Sequence, residues 1–162
     1  MSGTAVIDIV IGVALVGLLL ARQMRPRPVR EASAARFSVI LGIIGLIELS
    51  DATKGHSVGT GPVAWIVASL VVGGALGAAR AYSAKTWRLQ DGSAMSQGTV
   101  VTAVLWVVSL GAHLAMEVGI DHSTKIGGLG ASSLLLYLAV TLGVQREVLR
   151  RRVGMPALGI GT

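Results

Sequence analysis

The sequence contains no cysteine, only one phenylalanine, and few charges of either sign; Asp, Glu, Lys and Arg together make up 14% of its 162 residues. Without cysteine there are no disulfides, no thiolate nucleophile, no Cys-ligated zinc and no Cys-ligated iron–sulfur centre. The charged fraction falls well short of the roughly 25% that clothes a soluble domain. Six Phe, Trp and Tyr residues stand against 22 glycines, which points to helices that meet through small side chains rather than aromatic ones. A GxxxxGK[ST] pattern is also missing, so the glycine pairs at 73–74 and 127–128 are read as packing and helix-start positions and not as phosphate loops.

Long apolar runs fill the remainder. Hydrophobic residues make up 52% of the chain and the mean hydropathy is +0.73. Five segments, residues 5–21, 37–53, 62–79, 99–119 and 127–145, each have roughly the length that crosses a bilayer as a helix. The expectation is an all-α, single-domain integral membrane bundle of five transmembrane helices spanning residues 1–162. Segment one has no basic residue before it and is followed by Arg22, Arg25, Arg27 and Arg30. That is the order of a retained helix rather than of a cleaved signal peptide.

Loop charge orients the bundle. Arg22, Arg25, Arg27, Arg30 and Arg36 flank loop one, Arg80, Lys85 and Arg88 lie in loop three, and Arg146, Arg150, Arg151 and Arg152 lie in the tail. Loops two and four hold only Lys54 and Lys125. Twelve basic residues against two place loops one and three and the C-terminus in the cytoplasm and the N-terminus outside, in a bacterial inner membrane. The net charge of +6 then reflects topology and anionic lipid headgroups, and no nucleic-acid partner is expected.

With that topology every intramembrane acid falls toward the outer side. Asp8 opens segment one, Glu48 and Asp51 close segment two, and His113, Glu117 and Asp121 close segment four at four-residue spacing, on one helix face. Ionisable groups in hydrocarbon are costly and normally face a bundle interior or a wet cavity, so this set is the candidate site. Glu48 and Glu117 are the expected acid and counter-group, His113 the orienter or terminal base, and Asp51 and Asp121 polar support. Trp65 and Trp106 are expected beside the substrate, with Asp8, because an aromatic wall suits a cationic intermediate. The plain alternatives are that Asp51 and Asp121 are wetted interfacial residues, that His113 is an interhelical hydrogen-bond donor, and that Trp65 belongs to an aromatic belt.

Residues 75–114 carry a resemblance. Arg80, Trp87, Arg88, Asp91, Gly92, Gly98, Thr99, Leu105, Trp106 and Ser109 follow a pattern similar to that of small actinobacterial integral membrane proteins of the cytochrome-c-defect C type. The match covers about a quarter of the chain, and it implies a helical membrane fold and an accessory role in redox-protein assembly. In physical character, though without a shared motif, the chain also resembles integral-membrane terpene cyclases, small bundles with buried carboxylic acids.

Three functions follow. A carboxyl in an apolar cavity stays neutral at pH 7 and can protonate an alkene or epoxide. The first expectation is therefore a membrane-embedded acid–base enzyme on a lipophilic substrate, most concretely a prenyl-chain cyclase, needing no metal and no cofactor. Its partners would be that small molecule, membrane lipids and a second copy of the chain. A proton-coupled transporter would carry similar acids, but nearer mid-membrane and with an inverted repeat. A non-enzymatic accessory subunit would present a small-residue stripe, for which Gly73, Gly74, Ala75, Gly77 and Ala78 are the candidates.

Overall fold

The computed structural model describes residue 21 and residues 24–29, 31–123 and 129–154. Segment one, with Asp8, lies outside the described residues. In chain order the described elements are β1 (Arg27–Pro28), α1 (Glu31–Thr53), α2 (Thr60–Ser83), β2 (Lys85–Arg88), β3 (Ala94–Gln97), α3 (Val100–His122), the single turn α4 (Leu129–Ser132) and α5 (Leu134–Arg152).

The helices begin and end for local reasons. Pro62 falls in the first turn of α2, where its missing N–H would have no helical partner anyway. Thr99 caps α3: its hydroxyl accepts from the Thr102 amide, and the Thr102 hydroxyl accepts from the Thr99 amide at 3.1 Å. The far end of the segment expected over 127–145 differs from expectation, because the helix is interrupted at Ser133 and then runs on to Arg152. Its polar last two turns stay helical because Glu147 bonds Arg150 and Arg151, three and four residues on.

α5 packs on both α1 and α2, while α3 packs on α2 and reaches α4, which also touches α1. Gly45 abuts Leu136 and Gly42 abuts Ala139, so α1 and α5 run antiparallel. Ser69 meets His113 and Ser83 meets Thr102, so α2 and α3 also run antiparallel. Gly73 lies against Tyr137 and Gly77 against Thr141, so α2 and α5 run parallel. A Cβ at Gly77 would strike the Thr141 carbonyl, and one at Gly73 would come within 2.6 Å of the Tyr137 ring. The Gly-x-x-x-Gly spacing of 73 and 77 thus brings two helices close enough for backbone contact. The small-residue stripe considered for an external partner packs, at these two positions, within the bundle.

These directions gather the start of α1, the end of α2, the start of α3 and the end of α5 at one end of the bundle, with the arginines. The opposite end holds Glu48, Asp51, Glu117, Asp121 and α4. A small apolar knot of Ile66, Ile120 and Leu129 closes that second end, backed by Leu49 and Leu70.

The basic end departs from the all-α expectation. β2 and β3 form an antiparallel hairpin with Trp87 opposite Met95, and β1 adds on β3 through Arg27 opposite Ser96. Gly92, at φ 81°, makes the short connection possible, and the Ser93 amide is held by Asp91 Oδ1 at 2.9 Å. The hairpin and α5 cap each other's neighbours. Arg152, at the end of α5, donates to the carbonyls of Ala81, Tyr82 and Ala84 at the end of α2. Arg88, in β2, donates to the Val153 carbonyl just past α5. The last carbonyls of a helix lack intrahelical partners and carry the negative end of the dipole, so a guanidinium suits them twice over.

Two of the described helices are long and apolar enough to cross a membrane, α2 at a hydropathy of 1.9 and α3 at 1.7. Only 28% and 17% of their apolar windows are buried. The core helix of a soluble protein would be covered. Here Val67 and Val71 of α2 and Val104, Val107, Leu114 and Val118 of α3 stand open, as do Phe37, Ile40, Ile43 and Ile47 of α1. Exposed apolar patches much larger than a few hundred Å² are rare on soluble monomers.

Candidate functional site

The interior facing of α2, α3 and α5 is polar along a line. On α3 the buried positions are Thr102, Ser109, His113 and Ile120; on α2 they include Ser69, Gly73, Gly77 and Arg80; on α5 they include Tyr137 and Thr141. Spacings of three, four and seven put each set on one helix face.

His113 is the centre of this line. It is 1% exposed, its Nδ1 lies 3.4 Å from Ser69 Oγ, and its ring sits 4.6 Å from the Tyr137 ring at 34°. Which of Ser69 and His113 donates depends on the imidazole tautomer. The second ring nitrogen, Nε2, is buried without a hydrogen-bond partner. The Tyr137 hydroxyl donates to the Ser109 carbonyl at 2.7 Å and lies 2.7 Å from the Ser109 hydroxyl. One turn from Ser133, Tyr137 is seated by its own neighbours: a Cβ at Gly73 would collide with its ring.

The acids sit around α4. Glu117, one turn beyond His113, is half-buried against Gly130, where an added Cβ would strike its side chain. Asp121 accepts from the Gly130 amide at 2.9 Å, so it holds the start of α4. Trp65 packs its indole over Gly119, between these two acids in the α3 sequence, and is 44% exposed. Glu48 is exposed on α1, and Asp51, also exposed, pairs with Lys54 at 2.5 Å. α4 touches both α1, the helix of Glu48, and α3, the helix of Glu117. Of the expected set, the fold gathers His113, Glu117, Asp121 and Trp65 along one helix. Asp8 lies outside the described residues. Among the described residues, no three His, Asp or Glu side chains converge as metal ligands.

Trp106 belongs elsewhere. Its ring lies under the Arg80 guanidinium, 4.0 Å from ring centroid to Cζ, two turns of α3 from His113 toward the basic end. Arg80 was expected to be a loop cation marking topology. Instead α2 continues to Ser83, and Arg80 is 0% exposed, with Nε and both terminal nitrogens lacking hydrogen-bond partners. The face of the Trp106 indole is a favourable contact for its charge. The signal was present in the sequence: Ala78, Ala79 and Ala81 surround Arg80 and extend the helical run past residue 79. Tyr137, Ser109 and Ser69 were also missed as members of the site. Each is a polar residue in an apolar stretch of helix, spaced to share a face with the other buried positions.

Comparison with protein-family models, with curated proteins and with solved structures gives no match. Function therefore rests on the residues themselves.

Proposed function

We propose that the chain is a multi-pass protein of the bacterial inner membrane, built on five spans, and that it performs acid–base chemistry on a lipophilic substrate. Prenyl-chain cyclisation is its most concrete form. The observation that carries this reading is His113: an imidazole buried among helices, held at one nitrogen by Ser69, with the other nitrogen unpartnered and Glu117 one turn away. A buried polar atom without a partner costs about 1–3 kcal/mol, which favours a working role over a purely structural one. Glu117 supplies or takes a proton; His113 orients it or accepts the final one; Trp65 offers an indole face to positive charge developing on the substrate. Glu48, exposed on α1, is a less direct counter-group than its place in the sequence indicates.

The test is mass spectrometry of lipophilic small molecules from membranes expressing the wild type, Glu117→Gln or His113→Gln. A product made only by the wild type, with both variants inserted and equally abundant, is expected. Identical profiles from all three would remove the enzyme reading.

A further inference from the structure

A second site lies at the other end of the helices and stands whether or not the reading of His113 holds. A cavity of about 320 Å³ opens between the start of α1, β1 and the end of α5. Arg25, Arg27 and Arg146 line it, and among the described residues no Asp or Glu does. The carboxylate next in sequence to Arg146, Glu147, is taken up by Arg150 and Arg151 at 2.7–2.9 Å. Arg146 has a buried guanidinium nitrogen, Nη2, with no hydrogen-bond partner, and Gln145 beside it has an equally orphaned amide oxygen. Buried donors left unmade are rare and call for a partner.

Charge and shape together select the ligand. Guanidinium groups match phosphate oxygens in a fork, two N–H donors to two oxygens. Gln145, Ser96 and Thr102 line the same space. Its apolar lining is Phe37 of α1 with Leu142 and Leu149, which flank Gln145 and Arg146 on α5. Phe37 is also 56% exposed, and Ile40 and Ile44 continue its face of α1, 52% and 41% exposed. The cavity thus leads from an arginine-lined floor onto an apolar track along α1.

We propose that this cavity binds a phosphate group, with the headgroup of a phosphate-ended amphiphile as its source and the acyl chain lying along Phe37, Ile40 and Ile44. The full chain, purified in a neutral detergent, would be titrated with micelles doped with phosphatidic acid, with phosphatidylcholine of equal chain length, or with inorganic pyrophosphate alone, reading thermal midpoint and affinity. Phosphatidic acid is expected to bind about tenfold or more tighter than phosphatidylcholine, and Arg146→Gln and the loop variant Arg25→Gln each to weaken it about tenfold. Arg151→Gln, on an exposed arginine outside the cavity, is expected to change nothing. Pyrophosphate binding as tightly as phosphatidic acid, and lost in Arg146→Gln, would keep the phosphate site but assign it to a soluble ligand. Equal binding of the two lipids, or equal weakening by Arg151→Gln and Arg146→Gln, would overturn the site and leave only the general attraction of a basic surface. Arg25→Gln guards the test against an Arg146 variant that simply fails to fold.

Discussion

At the basic end of the bundle, Arg88 and Arg152 donate to main-chain carbonyls, and Arg150 and Arg151 share Glu147; in the last turn of α2, the Arg80 side chain has no hydrogen-bond partner among the described residues and lies over the face of Trp106. The residue type is the same, and the difference is the supply of acceptors. The end of α2 offers carbonyls that the helix does not use; those of Ala81, Tyr82 and Ala84 are taken by Arg152, while the Arg80 side chain turns inward against Trp106. Arg152, which reaches those carbonyls, caps α2. Turned inward, Arg80 is a buried charge whose lost hydration the face of Trp106 offsets in part. His113 follows the interior pattern, with one nitrogen bonded and one spare.

Three experiments sharpen that contrast. The largest effect concerns the close contact that makes the interior dry. Gly77→Ala would drive a methyl into the Thr141 carbonyl and is expected to cost about 1–3 kcal/mol. Gly74→Ala, whose added Cβ would find only ordinary contacts at 3.7 Å and beyond, is expected to be close to neutral. Thermal unfolding of the two variants in detergent decides it, and equal midpoints would mean that α2 and α5 are not in backbone contact.

Next comes the hydroxyl line. Tyr137→Phe keeps the ring against His113 and removes its bonds to Ser109, and should lower stability by about 0.5–1.5 kcal/mol. An unchanged midpoint would show that the line is not closed.

The smallest effect belongs to the basic end. Glu147, held by Arg150 and Arg151, has its pKa lowered from the ordinary 4.5 to about 2. A carboxylate with a depressed folded pKa contributes stability that is complete above its unfolded value and is lost as pH falls through the folded one. Acid unfolding of the wild type should therefore show an added loss between about pH 4.5 and pH 2 that Glu147→Gln lacks. Because the pair is at the surface, the difference should shrink in high salt. A salt-insensitive difference would place the pair in a far less wetted setting.

Much of the framework could be read directly from residue order. The apolar runs place α2 and α3 within a few residues of their limits, because an uninterrupted run of apolar residues has no competing structure to form. His113, Glu117 and Asp121 share a face on spacing alone. The hairpin between α2 and α3 was overlooked, although Asp91–Gly92 between two short polar-and-apolar stretches is the local mark of such a turn. Arg80 was misplaced because a charge at the end of an apolar run reads as the start of a loop.

What residue order determined by itself is therefore periodic and local: which stretches are helical and apolar, which side chains share a helix face, and how the basic residues divide between loops. What only the tertiary structure decided is which faces meet. Gly73 and Gly77 set α2 against α5, and that contact brings Tyr137 to His113. α4 meets both α1 and α3, with Glu117 half-buried against Gly130 and Glu48 exposed on α1. The continuation of α5 to Arg152, and the return of β1 beside β3, create the arginine-lined cavity from residues more than a hundred positions apart. Helix periodicity says which way a side chain points from its own axis; only packing says what it meets.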